Sequence, residues 1–364
     1  MVVAQRVLIT GGNSGIGFEA ARQLLQLGHH VVIACRDAGK AQKAVEALAP
    51  VAKASGVSVD SALMDLTSFA SVRDGAAKLL ARHPRLDVMV CNAGVMSGTR
   101  GFAAPQLTAD GYETTLQVNH LSHFLLVHLL LPALLASPAA RVVVVSSELH
   151  RKALAEAPAA AAGAGSTPGS TAAPAAPKGP DVGLATPEWL TRLRSPSAAT
   201  AAGAAAVPAA ESKRLSGMQL YCISKLYNLW FAFHLASLLP SNVTCNAVSP
   251  GWVPGTALGR GAPWLVRVLY QTLCPLIPFA VSVPEGARRV VSVCVGADEG
   301  AVRGRYFARG AQSDSSSESL DTAAAAELWK LSMQATGVEE YLPPQQQPQG
   351  LQQQQEQKEQ EQQQ

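Results

Sequence analysis

The stretch Thr10-Gly11-Gly12-Asn13-Ser14-Gly15-Ile16-Gly17 decides how this chain folds. It follows a short apolar run at 7–10. It opens a helical segment at 15–27, where Ile16, Ala20, Leu24 and Leu27 share one face. Gly11 permits a tight turn, Gly15 lets the backbone approach a pyrophosphate, and Gly17 permits close packing of helix on sheet. A helix N-terminus offers free N–H groups and a favourable dipole to phosphate. Glycines alone say little. A strand, a glycine turn and a helix in this order read as a dinucleotide-binding loop, with Asn13, Ser14 and Ile16 among its contact positions.

Outward from this loop, strand-like runs at 30–34, 57–63, 86–90, 141–146 and 243–248 alternate with helical segments at 38–48, 111–135 and 218–239. Strands separated by helices imply a parallel sheet covered on both faces. The run Val142-Val143-Val144-Val145 lacks polar alternation, as a central strand should. The expected fold is α/β: a single Rossmann-type, doubly wound parallel sheet with helices on both faces, spanning residues 1–342. Residues 153–210 are dominated by Ala, Pro, Gly, Ser and Thr and read as a low-complexity insert with little to bury. The Gln-rich stretch 343–364 reads as a disordered tail.

Composition narrows the function. The 364 residues are 48% hydrophobic with a formal net charge of +3, and no basic stripe interleaved with aromatics suggests nucleic-acid binding. The six cysteines, Cys35, Cys91, Cys222, Cys245, Cys274 and Cys294, form no Cys-x-x-Cys pair and read as reduced thiols. His120, His123 and His128 share a helical segment without further ligands, so core or interface packing is expected and no metal site. A strand starts almost at once, leaving no room for a presequence, and the expected location is cytoplasmic. Residues 263–281 are apolar but carry Arg267, Pro275 and Pro278, so they do not read as a membrane span. They suit a lid over an apolar pocket, a peripheral membrane contact, or ordinary core and homodimer packing.

Candidate chemistry clusters where strands end. An acidic residue after the second strand would favour NAD; here Cys35 and Arg36 stand there, and a guanidinium suits the 2′-phosphate of NADP(H). Asp37 reads as a helix cap. Tyr221 and Lys225 lie four apart, on one helix face. A phenol titrates near ~10, and a neighbouring ammonium favours its phenolate. The pair therefore suits proton transfer in carbonyl–alcohol interconversion. Ser146 and Ser147 end the valine strand, where ligands of an open sheet bind; a turn or cap is the alternative for Ser147. Asn92-Ala93-Gly94 ends the fourth strand with small residues. Asn119 interrupts a helix, where its side chain could hold a water or kink the rod.

Taken together, these residues make the chain resemble the short-chain dehydrogenase/reductases over roughly residues 7–341, the insert excepted. The resemblance rests on the glycine loop, Asn92-Ala93-Gly94, Asn119, Ser147, Tyr221 with Lys225, and Pro250-Gly251. Finer phrases, such as Ala34-Cys35-Arg36-Asp37 and Ser146-Ser147-Glu148-Leu149-His150, are similar to the retinol dehydrogenase and WW-domain oxidoreductase branch. The resemblance implies Tyr221 as acid/base and Lys225 as its activator and ribose ligand. It further implies Ser147 orienting the substrate oxygen, Asn119 holding a relay water, Asp65 and Leu66 beside the adenine, and Pro250-Gly251 beside the nicotinamide. The implied substrate is a retinoid-, steroid- or lipid-like carbonyl or alcohol. The chain departs from the family in the long separation of Ser147 from Tyr221, and in Gly255 preceding Thr256 where a threonine is usual. Two other functions fit the same fold: a non-catalytic NADP-sensing interaction protein and a light-dependent pigment reductase.

Overall fold

The computed structural model describes residues 3–96, 106–153, 187, 216–254 and 280–339. The first strand, β1 (Arg6–Thr10), feeds the glycine turn and α1 (Gly15–Gln26). There follow β2 (His30–Cys35), α2 (Ala38–Ala54), β3 (Val59–Leu63), α3 (Phe69–Arg82) and β4 (Val88–Cys91). A long rod comes next: α4 (Thr114–Leu116), a π turn (Gln117–Leu121) and α5 (Ser122–Leu135). The second half contributes β5 (Ala140–Val145), a 3-10 turn (Glu148–Lys152), α6 (Gly217–Leu238) and β6 (Val243–Ser249). It closes with α7 (Val283–Val295), β7 (Tyr306–Ala308), β8 (Ala311–Gln312) and α8 (Thr322–Thr336).

All eight strands make one sheet in the order β3-β2-β1-β4-β5-β6-β7-β8, parallel except for the β7–β8 hairpin. Alternating side chains fill two cores. Leu8, Met89, Val142 and Val144 face α3, α5 and α6 through Leu79, Phe124 and Leu229. Val7, Ile9, Val90 and Val143 face α1, α2 and α7 through Leu24, Leu48 and Val290. The expected doubly wound sheet is therefore present. From β1 the chain winds out to β3 and returns past β1 to β4, so a crevice opens at the carboxyl ends of β1 and β4.

Several boundaries differ from the sequence reading. The helix expected at 38–48 continues through Pro50 to Ala54, because Leu48 and Ala52 are both buried against the sheet. The rod expected from 111 begins at Thr114 and is broken at Asn119 by the π turn. Helices α3, α7 and α8 and the hairpin were unassigned. Ala153, counted in the insert, is 4% exposed and packs in a cluster with Leu220 and Tyr227. The rest of that stretch apart from Pro187, the tail, residues 263–279, Cys274, Gly255 and Thr256 lie outside the described residues. The other five cysteines are buried and free.

One described stretch, Thr114–Leu135, is long and apolar enough to cross a membrane. Its apolarity has another cause: Phe124, Leu125, Leu126, Leu130 and Leu134 are each fully buried, between the sheet and neighbouring helices.

Candidate active site

The glycine turn is shaped by its lack of side chains. Gly11 and Gly15 have φ of 66° and 58°, the left-handed region that favours glycine. A Cβ on Gly17 would lie 2.5 Å from Asn92 Nδ2 and 2.6 Å from Gly11 O. Gly12 also needs its hydrogen, since a Cβ there would meet Ile33 at 2.6 Å, a constraint the sequence reading did not assign. Ser14 takes the cap position of α1 without a side-chain bond to the helix, and the first turn carries no acidic residue. Partly buried Ile16 packs against the core, while Asn13 and Ser14 are half-buried at the turn. A cradle of backbone under a helix N-terminus, free of carboxylates, fits a dinucleotide phosphate.

At the end of β2, Arg36 is exposed while Asp37 is committed elsewhere. Its carboxylate accepts from Lys40 N at 2.9 Å as the cap of α2, and this bond holds it below the usual carboxylate range. Asp65 Oδ1 accepts from Thr67 N and Oγ1, so it shapes the β3–α3 turn, and the Leu66 side chain is in the core.

The end of β4 is tied to β1 by Thr10. Its Oγ1 accepts from Asn92 N and Ala93 N, both at 2.9 Å, and Asn92 Nδ2 donates to Thr10 O at 2.8 Å. Asn92 is thus a brace beneath the glycine turn. A Cβ on Gly94 would lie 3.5 Å from Asn119 Oδ1 and 3.7 Å from Lys225 Nζ, so three separated segments meet there.

The Asn119 amide is engaged at both of its ends. Nδ2 donates to Val95 O at 3.0 Å and to Ser224 Oγ at 2.9 Å, and Oδ1 accepts from Val95 N at 2.8 Å. The side chain clamps the segment after β4 to α6, and the expected kink is realised as the π turn.

Helix α6 starts with a reciprocal cap between Ser216 and Gln219, which sets the phase of Tyr221 and Lys225. Tyr221 is 8% exposed, with the Ser147 hydroxyl near enough to favour its phenolate. Lys225 Nζ lies 5.4 Å from the Tyr221 ring centre and donates to Val145 O at 2.9 Å. Ser146 Oγ donates to Lys225 O at 2.8 Å, fastening α6 to the end of β5. Ser147 takes the capping role that was its alternative reading. Its Oγ caps the following 3-10 turn by accepting from Leu149 N at 3.2 Å, which uses a lone pair and leaves the hydroxyl proton free to donate.

The electrostatics differ from the sequence expectation. Burial pushes the Tyr221 phenol well above its ordinary value, and Lys225 does not reverse this. Burial also pulls the Lys225 ammonium down to about 8. A fixed spacing brings the cation near the ring, but desolvation is the larger effect on both groups. Past β6, Pro250 is buried and Gly251 has φ of 92°, where a Cβ would meet Val281 and Arg289 at 2.8 Å. His120 and His123 are buried and held neutral by desolvation, at about 3 and about 4, as core histidines. Among the described residues no cluster of His, Cys, Asp or Glu could hold a metal ion. Thr10, Ser224 and Asn228 are site residues that sequence reasoning did not single out. Each acts through a partner far along the chain, which spacing cannot reveal.

Comparison with known proteins agrees with this arrangement. The family profile described as short chain dehydrogenase matches residues 5–171. The WW domain-containing oxidoreductase of Danio rerio is 33% identical over 340 residues, covering 93% of this chain and 70% of that protein. Retinol dehydrogenase 14 of Mus musculus is 32% identical over 344 residues, covering 91% of this chain and 86% of that protein. A blue fluorescent protein from a metagenomic library, solved in complex with NADPH, shares the fold at TM-score 0.53 and 21% identity over 84% of this chain and 96% of that one. Fold and relatives define an oxidoreductase working between CH–OH and C=O groups. The chain belongs to the short-chain dehydrogenase/reductase family, in its retinol dehydrogenase-like branch.

Proposed function

We propose that the chain is an NADP(H)-dependent reductase or dehydrogenase for an apolar, retinoid-, steroid- or lipid-like carbonyl or alcohol, with Tyr221 as its acid/base. The observation that carries this reading is the placement of buried Tyr221 with Ser147 next to it and Lys225 Nζ 5.4 Å from its ring, at the carboxyl end of β5. When bound, the cofactor supplies the hydride equivalent. The protein must then supply one proton to the substrate oxygen. Ser147 donates a hydrogen bond to that oxygen and holds it beside Tyr221. Tyr221 gives up its proton there, and the Lys225 ammonium favours the phenolate left behind. The phenol is protonated at neutral pH, and burial makes it more so, which suits it to donate a proton in carbonyl reduction. The exposed Arg36 and the committed Asp37 favour a 2′-phosphate over a free ribose hydroxyl.

The test is turnover of NADPH by the purified protein against a panel of apolar aldehydes and ketones, followed by loss of nicotinamide absorbance. Tyr221→Phe keeps the ring, so NADPH affinity should survive while turnover falls by ~10²–10⁴-fold. Near-normal activity in that variant would remove Tyr221 from the role. No turnover of any compound with either cofactor would favour a cofactor-sensing interaction protein.

A further inference from the structure

His123 sits on the first turn of α5, 2% exposed, and both ring nitrogens are engaged. Nε2 lies 2.8 Å from Thr10 Oγ1, and Nδ1 lies 3.1 Å from Asn119 O. The proton positions follow from counting. Thr10 Oγ1 already accepts from Asn92 N and Ala93 N, which occupies both of its lone pairs. Its single proton therefore goes outward, to Nε2 at 2.8 Å in preference to Val90 O at 3.3 Å. Nε2 must then be bare, and Nδ1–H donates to Asn119 O. Burial, with the Lys225 ammonium close by, keeps the ring neutral, as this arrangement requires.

The ring thus joins two parts of the site that the chain separates by more than a hundred residues. On one side stands the threonine that opens the glycine turn and holds Asn92 and Ala93. On the other stands the π turn whose Asn119 clamps Val95 and Ser224, one turn of α6 from Tyr221. We propose that His123 is a positioning residue that holds the cofactor loop in fixed register with the proton-transfer site. The proposal rests on the proposed NADP(H) binding for its titration arm and on the reductase reading for its kinetic arm; the tautomer arm needs neither.

Three variants separate the two bonds. His123→Asn places an amide at the Nδ1 position and keeps the Asn119 bond, while the Thr10 bond is lost. His123→Gln reaches the Nε2 position and keeps Thr10, while Asn119 O is released. His123→Leu loses both. The expected pattern for NADPH titration and steady-state kinetics is a split. His123→Asn weakens NADPH binding about tenfold and keeps kcat within a few-fold. His123→Gln keeps NADPH affinity and loses about tenfold in kcat, and His123→Leu shows both losses. Equal losses in all three, or a lowered melting temperature with unchanged Kd and kcat, would overturn the proposal in favour of simple packing. A ¹⁵N spectrum of the imidazole should show the Nδ1-protonated tautomer throughout the neutral range; the Nε2–H tautomer would also overturn it. The titration and the spectrum stand whether or not Tyr221→Phe upholds the acid/base role, so the two ideas fail separately.

Discussion

Burying Lys225 costs the fold stability, whatever it contributes to the proposed proton transfer. It is 3% exposed, and desolvation lowers its pKa from 10.5 to about 8. At neutral pH both folded and unfolded chains hold the proton, but only the folded one holds it away from water. A depression of this size corresponds to about 3 kcal/mol of lost stability. Between about pH 8 and 10.5 the folded chain releases the proton first, so stability rises with pH across that window. Lys225→Met should therefore raise the denaturation midpoint at pH 7, and its advantage over the wild type should shrink by pH 10.5. Val145 O remains satisfied in the variant, since Asn228 Nδ2 donates to it at 3.1 Å. Turnover should fall sharply. A lower midpoint at pH 7 would mean that Nζ contributes more by bonding than it costs by burial.

Among the secondary-structure elements, the junction of β2 and α2 caps the helix with Asp37 and leaves Arg36 exposed, the residue proposed to meet a 2′-phosphate. Arg36→Ala should cut NADPH affinity while leaving NADH binding unchanged, since a charge-assisted phosphate contact contributes about 1.5–3 kcal/mol. Asp37→Ala removes the α2 cap and should lower the melting temperature while leaving the cofactor preference intact. Measuring both quantities in both variants checks the assignment; a preference altered by Asp37→Ala would contradict it. The Asp37 cap and the glycine turn were legible in the sequence because each has a local signature. So was the meeting of Lys225 with the Tyr221 ring, which a four-residue helical spacing sets. What escaped was set by distant partners. The direction of the Tyr221 shift depends on burial, which spacing does not encode. Helix α7 contains Val290, Val291, Val293 and Val295, a β-branched run that would suit a strand, yet it is helical because its buried stripe seats on the sheet. Helix α8 opens on four alanines, which carry no periodic apolar signal, and β7 and β8 are too short to show alternation.

The layers close last at α8. Trp329 packs edge-on against Phe124 at 4.9 Å and stacks with Phe231 at 6.1 Å, joining α8 to α5 and α6. Arg73 on α3 donates to Thr336 O at 2.6 Å and holds the far end of the helix. Trp329→Ala should cost about 3–5 kcal/mol in chemical denaturation, with NADPH affinity of the folded fraction unchanged; a cost under about 1 kcal/mol would show that α8 is only loosely seated. The same seam has a consequence for synthesis. The rod Thr114–Leu135 leaves the ribosome early, and among the described residues one of its sides packs on α6 and α8. Roughly 190 residues separate its end from the start of α8. At translation rates of about 5–20 residues per second that is roughly 10–40 s. Until α6 emerges, and in part until α8 does, the nascent chain displays this apolar surface to solvent, so chaperones and membrane-targeting factors have time to compete for it before the last helix arrives.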